Sequence, residues 1–392
     1  MGKFPFTPSD MKSKEMSDMK KGKRLFVLLW GTAIMAGTLA AEVKLKIDPA
    51  TNLKLDFAAR GYYLNDQRIQ WSGLEAGCGA EAALKTVVTR DLEWGQLRAE
   101  GLLFFNQPWG KNQLRDDLRS AYTANFRVEP FALSELNVQL ETGAFTFTVG
   151  KRETPFGRSY FPHALNNLAF DSPFIRSEAV LWRETGFIFS MRQGILELDV
   201  ALVNGEEERD TNSSIAPIVR IGCGGENWAI GFSGKKHDGI GSEQQKEFKN
   251  HFGADFMFRS GGLQISGEAI YDEYGYKHAI DPASIFWPRS LYGRDVNKGL
   301  DTPAIGRGGY LNVGYTVGNW QANLNVGEYR PEELGDPYHD KLTRRAIATL
   351  STEPARGLRM TAVLIAENER PHESWMQGAR PIAGLFIFQY SL

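Results

Sequence analysis

From Asn52 onward the chain alternates apolar and polar residues with a period of two. Leu53, Leu55, Phe57, Ala59, Gly61 and Tyr63 alternate with Lys54, Asp56 and Arg60. Ala80, Ala82, Leu84, Thr86 and Val88 alternate with Glu81 and Lys85, and Leu196, Leu198, Val200 and Leu202 with Glu197 and Asp199. The sets Trp228/Ile230/Phe232, Phe252/Ala254/Phe256/Phe258, Trp320/Ala322/Leu324/Val326 and Phe386/Phe388/Tyr390/Leu392 behave alike. Successive side chains of a strand point to opposite faces, so each segment predicts a strand with one apolar and one polar face. Such segments of about ten residues are the signature of strands that cross a membrane in a barrel.

Alternation alone also fits a secreted β-sandwich with its apolar faces turned inward. The connections discriminate. Short ones carry turn residues: Thr142-Gly143, Gln193-Gly194, Gly224-Gly225, Gly261-Gly262 and Gly318-Asn319. Between them lie long polar stretches at 64–76, 106–117, 151–183, 205–212, 237–249, 275–306, 331–341 and 368–378. This rhythm predicts an all-β fold, a transmembrane antiparallel β-barrel with short periplasmic turns and long extracellular loops. The count is about sixteen strands. The stretch from Leu118 to Glu141, interrupted by Pro130, reads as one bulged strand or two, so eighteen is the fallback.

In hydrocarbon every backbone N–H and C=O must pair within the protein, so the sheet has to close. The apolar row then faces lipid and the polar row a lumen. In the stretch from Ala144 to Phe161, Phe145, Phe147 and Val149 are expected to face lipid, and Thr146, Thr148 and Arg152 water. Aromatics near strand ends (Tyr63, Trp94, Phe105, Trp228, Tyr271, Tyr315, Trp320, Tyr329) are expected in the interfacial girdles.

The N-terminal forty residues differ. Lys20, Lys21, Lys23 and Arg24 precede an apolar run from Leu25 to Leu39, and Thr38 and Ala40 supply small residues for a cleavage site. This is the layout of a secretory signal peptide, 1–40, with a short periplasmic N-terminal segment over 41–51 and the barrel over 52–392. Cleavage removes seven basic and three acidic residues from totals of 45 and 47, leaving 38 against 44 and a net charge of −6. With no basic excess, nucleic acid is not an expected partner. The two cysteines, Cys78 and Cys223, fall at opposite ends of distant strands, so both are expected as free thiols.

At Gly150-Lys151-Arg152 followed by Thr154-Pro155-Phe156-Gly157, the sequence resembles the phosphate-selective porin O/P family. Arg183-Glu184-Thr185-Gly186 resembles the charged pair plus Gly that reopens the next strand there. The resemblance covers 119–190. It implies a sixteen-stranded, trimeric outer-membrane channel whose third long loop folds into the lumen. It does not by itself imply phosphate. The candidate constriction loop is 151–183, with Lys151, Arg152, Glu153, Arg158, Asp171, Arg176, Glu178 and Arg183 as its charged residues, because charge on a loop inside a pore narrows it and sets the local field.

Parity assigns further charges to the lumen wall: Lys54, Arg60, Lys85, Arg98, Arg192, Arg220, Lys235, Arg259, Arg345 and Arg359. Asp56, Glu81, Glu100, Glu135, Glu141, Glu197, Asp199, Asp255, Glu268, Asp272 and Glu367 face the same way. With Arg152 counted, eleven bases face eleven acids, so the wall lacks the basic excess of a dedicated anion path. No Gly-x-Ser-x-Gly elbow or His-Glu-x-x-His helix is present, and every histidine but His251 falls in a predicted loop. No catalytic residue, metal site or cofactor is assigned.

The sequence thus predicts a bacterial outer-membrane porin for passive diffusion of small hydrophilic solutes or ions, with anions such as phosphate as one candidate class. It is expected to be exported, to form a homotrimer, and to be assembled by the barrel assembly machinery through its C-terminal strand. The alternatives are an outer-membrane barrel enzyme hydrolysing lipid or glycan, and a secreted soluble glycan-binding β protein.

Overall fold

The structure is a computed structural model that describes residues 43–66, 76–109, 131–157, 183–204, 215–240, 247–276, 304–330, 343–367 and 382–391. The strands are β1 (Val43–Asp48), β2 (Thr51–Asp66), β3 (Ala76–Leu92), β4 (Gly95–Trp109), β5 (Phe131–Thr142) and β6 (Phe145–Glu153). They continue with β7 (Arg183–Gln193), β8 (Leu196–Val203), β9 (Ala216–Gly224), β10 (Trp228–Ile240), β11 (Glu247–Ser260) and β12 (Leu263–Tyr276). The last are β13 (Ala304–Val317), β14 (Trp320–Arg330), β15 (Thr343–Ala355), β16 (Leu358–Glu367) and β17 (Ile382–Ser391).

Each of β2 to β17 pairs antiparallel with its sequence neighbours, and β17 returns to pair with β2. The result is a closed sixteen-stranded antiparallel barrel. Closure leaves no edge on the ring. β1 lies within the segment expected as a simple N-terminal stretch. It folds back on Thr51–Leu55, the part of β2 that β17 leaves uncovered, since β17 begins its pairing at Ala58.

The described part of the ambiguous stretch, from Phe131, is one strand. β5 pairs with both β4 and β6, and Ser134 is an extra residue between Leu103↔Leu133 and Leu102↔Glu135. It is a bulge rather than a second strand. Residues 110–130 lie outside the described ones.

Burial follows the parity of the sequence. β9 alternates buried and exposed positions over seven residues, Ala216 to Gly222. In β10, Phe232 is 65% exposed while Ser233 beside it is 6% exposed. The exposed row is apolar round the barrel: Leu136, Val149, Phe187, Leu202, Ile221, Phe256, Tyr315, Leu324 and Leu364 all stand on it. An apolar belt that extensive is a surface that water penalises and hydrocarbon accepts.

Several strands run further than the apolar alternation suggests. β10 continues through Lys235, Lys236, His237 and Asp238, in register with His251, Asn250, Lys249 and Phe248 of β11. His237 is therefore a buried strand residue, not a loop residue. Above the apolar belt both faces of a strand meet polar surroundings, so the alternation fades while the hydrogen-bond ladder continues.

Candidate functional site in the barrel lumen

The chain leaving β6 turns inward. Phe156 is buried in an apolar cluster with Ile188, Ala201, Val203, Ala216, Ile218, Ile270, Tyr310 and Tyr329. These residues stand on the inner face of β7, β8, β9, β12, β13 and β14. Phe156 also packs edge-on against His251 of β11. A methyl group at Gly253 would lie 2.8 Å from the Phe156 ring, so the absence of a side chain there makes the seat. The backbone N–H of Gly157 donates to Ser233 Oγ at 2.9 Å. Residues 154–157 thus leave β6 for the lumen and reach the inner face of β10 and β11.

Around this anchor the ionic side chains are assembled in pairs and small networks. Arg220 donates through Nη1 to Glu197 Oε2 at 2.8 Å and through Nη2 to Asp255 Oδ1 at 2.9 Å. Its bridge from β9 to β11 passes over β10. The residue beneath is Gly231, where a Cβ would approach Asp255 Oδ2 to 2.7 Å and collide with the guanidinium. Next to it Arg192 donates through a single nitrogen, Nη2, to both carboxylate oxygens of Asp199 at 2.8 Å, a charge-assisted contact.

Lys235 Nζ donates to Glu184 Oε2 at 2.8 Å across the inner face from β10 to β7, and both side chains are fully buried. His251 Nδ1 lies 2.6 Å from Asp272 Oδ1, and Tyr329 donates its hydroxyl to Asp272 Oδ2 at 2.6 Å. Tyr329 is fully buried, so it belongs to the lumen and not to an interfacial girdle. Trp94, Trp228, Tyr315 and Trp320 are exposed near the tight turns, and Tyr63 and Tyr271 near the long-loop ends.

The remaining basic wall residues have these positions. Lys85 and Arg98 converge on Glu100, which also accepts from Gln139. Lys54 pairs with Asp56 at 3.0 Å. Arg259 donates to Gln264 Oε1 at 3.2 Å, and Arg359 to Gln321 Oε1. Arg60 stands in register between Glu81 and Gln389, and Arg345 opposite Glu367. Among the expected constriction charges, Arg152 shares the inner face and donates to Thr148 Oγ1 at 3.4 Å.

Lys151 departs from expectation. Its register partners are Leu136 and Thr185, so it stands on the outer row with Val149 and reaches back to the Leu133 carbonyl at 3.3 Å. A two-residue repeat sends Lys151 and Arg152 to opposite faces, and only the second is directed into the lumen. Arg183 clasps Glu135 and Glu153, each at 3.0 Å, at the rim of β5 to β7. Arg158, Asp171, Arg176 and Glu178 lie outside the described residues.

Sequence reasoning did not find the inner apolar cluster, the Phe156 seat or the His251–Asp272–Tyr329 constellation. β9 shows why. Ala216 and Ile218 point inward while Pro217 and Val219 point outward, so the first half of the strand, before Arg220, is apolar on both faces and its alternation is silent there. Among the described residues no group of three or more His, Cys, Asp and Glu side chains is arranged to hold a metal ion. Cys223 is a free thiol on the outer row near a tight turn.

No protein-family model matches the chain, and no curated protein matches it by sequence. Solved structures are. The outer membrane channel DcaP of Acinetobacter baumannii aligns with a TM-score of 0.60 at 10% identity, covering 89% of this chain and 99% of that one. OmpT of Vibrio cholerae, an outer membrane protein in its trimer form, aligns at 0.57 and 10% identity, covering 88% and 100%. The anion-selective porin from Comamonas acidovorans aligns at 0.55 and 10% identity, covering 87% and 100%. At such identities the likeness is one of fold: the chain has the closed-barrel fold of the outer-membrane porins.

Proposed function

We propose that the protein is an outer-membrane porin that lets small hydrophilic solutes and ions diffuse down their gradients. The observation that carries this reading is the double lining of the barrel. Exposed apolar side chains form the outer row and ionic and amide side chains the inner one. Such a barrel is stable only with hydrocarbon outside and water within. The same reading takes 1–40 as a cleaved export signal, β17 as the strand handed to the barrel assembly machinery, and a homotrimer as the assembled form.

The loop 151–183 is the proposed constriction. Phe156 supports it, because its burial among inner-face residues and against His251 of β11 brings the start of that loop into the lumen. The proposed channel is weakly ion-selective. Lys54, Lys85, Arg98, Arg192, Arg220 and Lys235 are each tied to a carboxylate. Paired charges present a small field to a passing ion, unlike the unopposed basic rings of an anion path. The resemblance to the phosphate-selective family therefore supports the architecture more than the solute. No catalytic role is proposed, since His251 is buried, engaged by Asp272 and covered by Phe156.

The test is single-channel recording of the refolded barrel in a planar bilayer, with reversal potentials in asymmetric KCl. Steady ohmic conductance with a small reversal potential is the expected result. A folded barrel that passes no current would refute the channel, and a strong anion preference would refute the weak selectivity.

A further inference from the structure

The outer face of β13 to β15 carries three arginines at its long-loop end, immediately above the apolar row. Arg307 of β13 and Arg330 of β14 are direct register partners, and Arg344 of β15 is the register partner of Glu328 in β14. Arg307 shares its row with the exposed Ile305, Leu311 and Val313, and Arg330 shares its row with Leu324 and Val326. All three arginines are exposed. Residues directly opposite on neighbouring strands have Cβ atoms about 5 Å apart, and like charges placed there destabilise a sheet. Two guanidinium groups held in that relation are relieved by an anion lying between them.

The protein's own acids supply little of that relief. Glu328 accepts from Arg344 Nε at 3.2 Å, but both side chains are more than half exposed, and ion pairs in water are weak. Glu273, on the same face of β12, accepts from Asn250 Nδ2 at 3.2 Å and stands in register with Ile305 rather than Arg307. The patch is basic although the whole chain has a net charge of −2.

The level of the patch selects the kind of anion. Tyr271 of β12 is in register with Arg307 and exposed on the same face. Aromatic rings at the end of an apolar row mark the boundary between hydrocarbon and headgroups. One row below, Ala269 and Gly309 are in register and leave the wall shallow; the row after that holds Leu311 and Val326. A ligand with a negative head and hydrocarbon beneath it matches this order, whereas a soluble anion would leave the apolar part unused. A guanidinium grips phosphate oxygens in pairs and is more weakly hydrated than an ammonium, which suits a site at the edge of lipid.

We propose that Arg307, Arg330 and Arg344 form a clasp on the outer wall for the phosphate of an anionic membrane lipid, whose acyl chains lie down the apolar face of β12 to β14. The proposal rests on the outer-membrane barrel reading and adds a lipid of the long-loop leaflet as a specific partner. The phosphate sits between Arg307 and Arg330, with Arg344 one strand further round.

The test uses the full barrel refolded in phosphatidylcholine vesicles, with and without phosphatidylglycerol of the same chain length. Native mass spectrometry after transfer to detergent counts the phosphatidylglycerol retained, and urea midpoints report the gain in stability. Wild type is expected to retain the lipid and to gain stability from it. Arg307→Gln and Arg330→Gln are each expected to weaken retention roughly fivefold, and the double variant to lose the gain in midpoint. In phosphatidylcholine alone Arg307→Gln should be at least as stable as wild type, since it removes a like-charge contact. Where a glutamine variant does not refold, Arg307→Lys keeps the charge and loses the paired donors, and weaker retention is again expected. A folded wild-type barrel that retains no phosphatidylglycerol overturns the clasp, as do variants that retain as much as wild type. Displacement of the lipid by inorganic phosphate at equal concentration also overturns it, because the site would then be one for a free anion. A chain that stays dissolved in buffer and ignores vesicles refutes the barrel reading itself, whereas a conducting barrel without retained lipid refutes only the clasp.

Discussion

Phe156 packs edge-on against His251, with ring centroids 6.5 Å apart and ring planes at 81°. The contact joins the segment leaving β6 to a wall strand five places further round the barrel. His251 is itself held by Asp272, and Asp272 by Tyr329, so the seat is braced by β12 and β14.

Phe156→Ala removes the buried ring and with it about 3–5 kcal/mol of local packing. The expected outcome is a larger single-channel conductance with the barrel's heat-modifiable mobility intact. Gly253→Val fills the seat from the other side, and the same increase is expected. Unchanged conductance in both variants would show that residues 154–157 do not restrict the pore.

Lys235 and Glu184 form a fully buried pair. Breaking it from one side strands a charge, so Lys235→Met should lower stability by about 3–5 kcal/mol. Replacing both, with Lys235→Met and Glu184→Leu together, should recover most of that loss. Urea midpoints of the refolded barrel measure the difference. A single variant as stable as wild type would mean that Glu184 finds another partner.

Asp255→Asn leaves Arg220 with Glu197 as its nearest carboxylate and adds one unit of positive charge to the lumen. The reversal potential in asymmetric KCl should move toward the anion side, and more so with Asp199→Asn added. A shift in the opposite direction would contradict the assignment of this network to the ion path.

Val200 stands on the exposed apolar row of β8, midway between the turn and the long-loop end. Val200→Arg should cost about 2–4 kcal/mol in lipid if that row meets the hydrocarbon midplane. Refolding yield and denaturant midpoint in vesicles report it. An arginine tolerated without loss would place this surface in water.

The alternation that the residues set down was enough to fix the strands, their faces and the closed fold, because lipid-facing and water-facing positions differ so sharply in chemistry. Phe145, Phe147 and Val149 against Thr146, Thr148 and Arg152 left no choice of face, and the turn residues at Gly143, Gly194, Gly261 and Gly318 set one end of the barrel. Parity also put Arg220, Asp255, Glu197, Asp199, Lys235 and Asp272 on the inner wall. It could not say which acid each base would meet. That depended on how many strands lie between them and on a small residue such as Gly231 allowing a bridge to pass over.

Where a stretch is apolar on both sides, as over Ala216–Val219 of β9, period two carries no information about the interior, so the apolar seat for Phe156 emerged only in three dimensions. Likewise Lys151 and Arg152 look equivalent in a charged loop sequence, yet register sends one outward and the other inward. Arg307, Arg330 and Arg344 lie well apart in the sequence. Only the antiparallel ladder of β13, β14 and β15 makes those three side chains neighbours. Period along a strand is a local property that sequence records directly, whereas proximity across strands is set by closure and register and exists only in the folded barrel.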